Sequence, residues 1–258
     1  MVRIRIISIM STKGGVGKTT IASNLALALQ NFGKKTALVD FNFTTPHVSL
    51  YFNIFPTKTL NNFLRNECQF SEILHNYNGL TIIPSSLLIK DVVPIEQDIK
   101  RILEENLKEY EFVILDSAPG LGREAISALK SSKEVLLVST PLVSTILDVV
   151  RAQEVLREIG VKPIGIVLNM VTGASYEMRK EEIEQLTGLP VLVSIPYDKN
   201  VYRSTALKQP VYLLNPNSSA SKEILRLASI LTGENIEIRK SFFERLGEKF
   251  KVITSHLI

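Results

Sequence analysis

The chain has 258 residues, 45% of them apolar and 22% charged, with a formal net charge of +4, a composition that excludes disordered and fibrous classes and fits one globular domain. Its apolar stretches are strand-length, far short of the roughly 20 residues that span a bilayer, and the opening MVRIRIISIM is too short and strand-like for a signal peptide, so a cytoplasmic chain is expected. A single cysteine, Cys68, excludes an intramolecular disulfide and cannot alone hold zinc or an iron–sulfur cluster, while His47, His75 and His256 share no metal-ligand spacing.

In chain order, β-branched runs predict strands over 4–10, 36–40, 80–84, 112–116, 135–139, 164–169 and 191–195. Most are continuous apolar runs, the pattern of a parallel sheet covered on both faces. Between them, helical periodicity predicts helices over 19–31, 98–110, 145–159, 176–187 and 219–231. The alternation predicts an α/β, doubly wound, mostly parallel sheet with helices on both faces. No internal repeat is present. The apolar pattern stops at Gly233, which divides the chain into a domain over 1–233 and a tail over 234–258.

Directly after the first strand comes STKGGVGKTT, followed at once by a helix. Strand, glycine-rich loop and helix in that order make a phosphate-binding loop: backbone N–H groups of Gly14, Gly15, Val16 and Gly17 close around phosphate oxygens, and the helix N-terminus adds its partial positive charge. Lys18 is placed to reach the β- and γ-phosphates, the Thr19 hydroxyl to bind Mg²⁺, and Thr20 to cap a nearby phosphate. The strict P-loop spacing fails at its first glycine position, which Thr12 occupies; KGGVGKTT fits instead, with an extra lysine, Lys13, at the front.

That second lysine is the signature of the MinD/ParA group of deviant-Walker ATPases, which the chain resembles over roughly 4–233. Further segments arrive in the family's order: LVDFN (38–42) is similar to switch I, FVILDSAPG (112–120) to Walker B running into switch II, and IVLNM (166–170) and SIPYD (194–198) to the adenine-binding segments. The resemblance implies that Lys13 reaches across an ATP-bound homodimer, making Lys13 and Lys18 catalytic. It implies that Asp116 and Thr19 hold Mg²⁺, that Asp40 belongs to the metal set and orients the attacking water, and that Asn169, Pro196, Tyr197 and Asp198 contact adenine. No NKxD-like element is present, which favours ATP over GTP. One departure stands out: the bacterial D-x-D of switch I ends here in Asn42, which cannot act as a base. The segments around Asn42 and Asp116 are most similar to the archaeal MinD branch.

In the tail, KSFFERLGEKFKVI (240–253) places Phe242, Phe243, Leu246, Phe250 and Ile253 on one helical stripe flanked by Lys240, Arg245 and Lys249. A helix with a bulky apolar face and basic flanks can lie in a membrane interface, and its position resembles the membrane-targeting helix of MinD; the rival expectation is a terminal helix packed on its own core. The function expected is an ATPase that dimerises on ATP, acts as a spatial regulator at the inner face of the cell membrane, and releases on hydrolysis stimulated by an activating protein. A DNA-partitioning ATPase of ParA type is the alternative, opposed by the mild charge, and a metallocluster carrier is opposed by the single cysteine.

Overall fold

The computed structural model describes residues 4–88 and 98–235; the amphipathic stretch expected over 240–253 lies outside the described residues. One eight-stranded sheet has the order β3-β4-β2-β5-β1-β6-β7-β8, with β1 (Arg5–Met10), β2 (Thr36–Phe41), β3 (His75–Tyr77), β4 (Leu80–Ile83), β5 (Phe112–Ser117), β6 (Glu134–Ser139), β7 (Lys162–Val171) and β8 (Val191–Pro196). Every pairing is parallel except β3 with β4. The edge strand β3 was not expected from sequence. It has three residues, none buried, too few for the period-2 pattern by which a strand is recognised.

Alternation along the strands sends side chains to two separate cores. On one face Ile7, Ile9, Leu38 and Ile114 pack against α1 (Lys18–Asn31) and α10 (Ser219–Thr232). On the other, Val39, Val113 and Leu115 meet α3 (Leu60–Leu64) and α4 (Ile99–Asn106). That second face continues where Leu137, Ile166 and Leu168 meet α5 (Arg123–Ser131), α6 (Val143–Glu158) and α7 (Lys180–Thr187). The doubly wound reading is thus the observed architecture. Two expected helices are shorter than periodicity suggested. The stretch 107–110 turns out of α4 to feed β5, with Tyr110 N–H donating to Leu107 O, and α7 starts only at Lys180. The short helices α2 (Val48–Tyr51), α8 (Lys199–Ala206) and α9 (Val211–Leu214) sit around the carboxyl ends of the strands.

β7 passes close to β8 at Gly165. A Cβ on Gly165 would lie 2.8 Å from Pro190 O and 2.7 Å from Leu192 Cγ, so the missing side chain is what lets the strands pair beside the register shift. Gly165→Ala is expected to cost about 1–3 kcal/mol, the usual range for overpacking. It should lower the urea midpoint without changing the m-value; an unchanged midpoint would show that β8 yields freely.

Candidate nucleotide site

The loop between β1 and α1 emerges where β1 is flanked by β5 and β6, the point at which strand order reverses and open parallel sheets place ligands. Gly15 and Gly17 take φ of 78° and 94°, left-handed values that turn successive N–H groups toward one concavity. A Cβ on Gly14 or Gly15 would meet nothing within 4 Å, whereas one on Gly17 would fall 2.3 Å from Asn169 Nδ2. The first two glycines therefore leave room for a ligand, and the third leaves room for the protein itself.

Above the loop lies a cavity of about 1080 Å³. One end is lined by Gly14, Gly15, Lys18, Thr19, Asn42 and His47; the other by Asn169, Met170, Pro196, Tyr197 and Tyr202. The Tyr197 and Tyr202 rings meet at 5.5 Å between centroids, tilted 44° to each other. The first end is polar and cationic and the second flat and aromatic, which suits a phosphorylated nucleoside.

The floor of the phosphate end is a pair of carboxylates. Asp116 and Asp40 oppose each other in register on β5 and β2, 1% and 0% exposed. Burial pushes both carboxyls above the usual range, Asp116 to about 6, with the Thr19 hydroxyl and Lys18 pulling Asp116 back down. Burial likewise lowers Lys18, countered by Asp116 and Asp40. Thr19 Oγ1 donates to Asp116 Oδ2 at 2.6 Å, and Asp116 Oδ1 is buried with no hydrogen-bond partner. A hydroxyl and a carboxylate with a free oxygen, beside a phosphate loop, are the donor set a hard divalent cation takes. Mg²⁺ thus fits Thr19 and Asp116, and when bound it would neutralise phosphate charge.

Three expected contacts are placed differently. Asp40 does not line the cavity: Oδ1 accepts from Asn42 N–H at 3.2 Å, and Oδ2 from His47 N–H at 3.1 Å and Val48 N–H at 3.0 Å. As positioned it holds the switch I turn from behind rather than facing a metal or water. The Asn169 amide was expected to serve adenine, but its NH₂ donates to Val16 O at 2.8 Å. That uses one of the two amide N–H groups, so the second N–H and Oδ1 remain for a base. The Asp198 carboxylate accepts from Asn200 N–H, Ser219 Oγ and Ala220 N–H at 2.8, 3.0 and 3.1 Å; it caps α8 and ties it to α10, leaving only backbone for a ligand. Lys13 lies outside the cavity, with Nζ 3.1 Å from Asp148 Oδ2 on α6. Sequence reasoning missed Asp148, and it also missed Glu124, which accepts from both the backbone and the hydroxyl of Thr44 and so joins switch I to α5. No pattern marks either residue, because each works across a long sequence separation.

The family model that matches is ParA, whose description is NUBPL iron-transfer P-loop NTPase, over residues 3–232. The chain belongs to the ParA family of P-loop NTPases. It is 33% identical to an uncharacterized ATP-binding protein of Methanocaldococcus jannaschii, over 96% of this chain and 98% of that one. The cell division ATPase MinD of Pyrococcus furiosus superposes with a TM-score of 0.84 at 28% identity, over 90% of this chain and 99% of that chain. The septum site-determining protein MinD of Pyrococcus horikoshii, solved with Mg-ADP, gives 0.83 at 27%, over 89% and 96%. This is a MinD-like member, and the family's cofactors are a nucleotide and Mg²⁺.

The Asp198 cap generates a pH prediction. Burial raises its pKa, but the hydrogen bonds from Ala220, Asn200 and Ser219 outweigh burial and hold the carboxyl at about 2, below its ordinary 3.8. The stabilisation is therefore complete above about pH 4 and lost as pH falls through about 2. At about 1.4 kcal/mol per pKa unit it amounts to about 2.5 kcal/mol. Asp198→Asn should lose it at neutral pH and show a flatter urea midpoint between pH 2 and 5 than the parent; parallel profiles would show that the charge contributes nothing.

Proposed function

We propose that this chain is an ATP-driven switch that closes into a two-fold homodimer around ATP and Mg²⁺, attaches to the inner face of the cell membrane through residues 234–258, and detaches after hydrolysis stimulated by an activating protein. In that role it is a spatial regulator, placing a division site or a polar structure. The observation that supports this best is the different placement of two lysines close in sequence: Lys18 is 8% exposed at the floor of the cavity, while Lys13 stands outside it with 47% of its side chain exposed. A cation on the rim is available to a second subunit's phosphates, whereas one on the floor serves its own. Asp148 neutralises the rim lysine at low cost, since an exposed pair contributes only about 0–1 kcal/mol and exchanges readily for a phosphate.

The root of the tail suits the same reading. Leu231 O accepts from Arg5 Nη1 at 2.6 Å, at the start of β1, so the end of α10 lies at the amino-terminal end of that strand, opposite the cavity and about 20 Å from it by the rise of a strand. No helix among the described residues is long and apolar enough to cross a membrane, so attachment rests on the tail's amphipathic stripe. Two weak anchors on one dimer bind far more tightly than one, because the second insertion is intramolecular. The DNA-partitioning alternative needs a strongly basic surface and a steep salt dependence, which a net charge of +4 does not favour. An iron-carrying role would need several thiolates, and the chain has one cysteine.

Lys18→Ala should abolish ATP binding, by removal of the charge on the β- and γ-phosphates. Lys13→Ala should still bind ATP but remain monomeric in light scattering and fail to turn it over. A Lys13 variant that doubles its mass with ATP removes the cross-subunit role.

Truncation tests the tail. Glu234 is bonded to the body through Lys34 Nζ at 2.7 Å, so the cut belongs after Asn235. That protein should keep ATP binding and dimerisation yet lose co-sedimentation with anionic liposomes, where the parent binds about 10²-fold or more tightly with ATP than without. A truncated chain with a lowered melting temperature, from a parent that never bound lipid, would instead establish the core-packed helix.

A further inference from the structure

The switch I turn is built to present a side chain that the family resemblance does not assign. In the D-x-N of this chain, Asn42 is committed at both ends of its amide: Nδ2 donates to Thr45 O at 2.6 Å and Thr45 Oγ1 at 3.0 Å, and Oδ1 accepts from Thr45 N–H at 3.1 Å. This closes a tight turn over 42–45. Pro46 follows, buried and with its φ set by the ring. Asp40 then receives the backbone N–H of His47 and of Val48. The two polar residues of the motif are thus both structural, and together they fix the backbone of His47, which is exposed and lines the phosphate end of the cavity.

The other side chains at that end are engaged with one another or suit the metal. Hydrolysis requires a water held in line with the terminal phosphate, and holding it requires a group that accepts a hydrogen bond from it. Lys18 can only donate. The Thr19 hydroxyl donates to Asp116, and its lone pairs, like the free Asp116 Oδ1, suit Mg²⁺; the Thr20 hydroxyl bonds Tyr51, and the Asn42 and Thr45 side chains bond each other. The His47 ring makes no hydrogen bond among the described residues, and an imidazole carries an acceptor nitrogen as well as a donor. Its position is also right: the ring lies within electrostatic reach of Asp116 at the cavity floor.

We infer that His47 is a further catalytic residue, whose imidazole hydrogen-bonds the attacking water at the terminal phosphate of bound ATP, a task that neither Asp40 nor Asn42 is placed to perform. This rests on the ATP-hydrolysing reading above. Asp40 and Asn42 become positioning residues: one pins the His47 backbone, and the other shapes the turn that leads to it.

The test uses the full chain with Mg-ATP and compares His47→Ala with His47→Gln, whose amide oxygen restores an acceptor. Both leave the backbone N–H on Asp40 intact, so melting temperature should hold. The Ala variant should lose about 10²-fold in kcat, the scale of a water-orienting group, with KM for ATP within about twofold of the parent, and Gln should recover at least about tenfold of that loss. Unchanged kcat in the Ala variant overturns the assignment. So does a raised KM at unchanged kcat, which would make His47 a binding contact, and so does an equal loss in Ala and Gln accompanied by a lower melting temperature, which would make it structural. A parent that binds ATP without hydrolysing it overturns the water-orienting role alone, while a parent that binds no ATP overturns the nucleotide reading, and the His47 assignment falls with it.

Discussion

Two dehydrated carboxylates side by side are the constraint around which the site is arranged. Asp40 and Asp116 sit opposite each other on neighbouring strands, both out of water, where like charges repel strongly and each alone is costly to bury. Each is compensated from a different segment: Asp116 by the Thr19 hydroxyl and the Lys18 ammonium of the phosphate loop, Asp40 by three backbone N–H groups of the turn after β2. The pair therefore binds the phosphate loop, switch I and the end of β5 into one unit. Removing a single compensating group would leave a buried charge unpaired, a penalty larger than the loss of an ordinary contact. Phosphates arriving at Lys18 bring more negative charge to this floor, which is why the free oxygen of Asp116 suits a divalent cation there.

The Asn169 amide links the base end to the phosphate end. Asn169, near the end of β7, donates to Val16 O inside the loop, and its side chain occupies the space that a Cβ on Gly17 would need. The next residue, Met170, takes a positive φ of 59°, an uncommon conformation for a residue with a side chain and one that clusters at ligand sites. The helix that follows the loop is equally restrained. Asn24 on α1 donates to Tyr51 OH at 2.8 Å and accepts from Tyr212 N–H at 2.9 Å, which ties α1 to α2 and α9. With its neighbours fixed in this way, the loop has its donors in place before a ligand arrives, and little ordering remains to oppose binding.

Much of the fold was readable from residues alone. Continuous apolar runs marked the seven parallel strands because both sheet faces are covered, and the glycine pattern marked the phosphate loop because its backbone must take left-handed φ at Gly15 and Gly17. The short elements α2, α9 and β3 were not readable, since three or four residues cannot display a period and their conformation is set by what they pack against. Side-chain roles divided in the same way. Lys18 and Thr19 follow from position in the loop, but nothing local says that the Asn169 amide turns to Val16, that Asp198 caps α8, or that Lys13 pairs with Asp148.

The sequence by itself thus determined the layer architecture, the phosphate loop and the identity of the cation on its floor, because these depend on backbone conformation and hydrophobic period, which are local properties. Tertiary structure decided which polar atoms remain free. Asp40 and Asn42 look available in the sequence, yet both are consumed by backbone groups brought to them when the chain folds back after β2, and His47 is left facing the cavity. Hydrogen-bond capacity is finite, so the use of each acceptor is settled by whichever donor the fold brings nearest, and that competition is invisible until strands and loops distant in sequence have met.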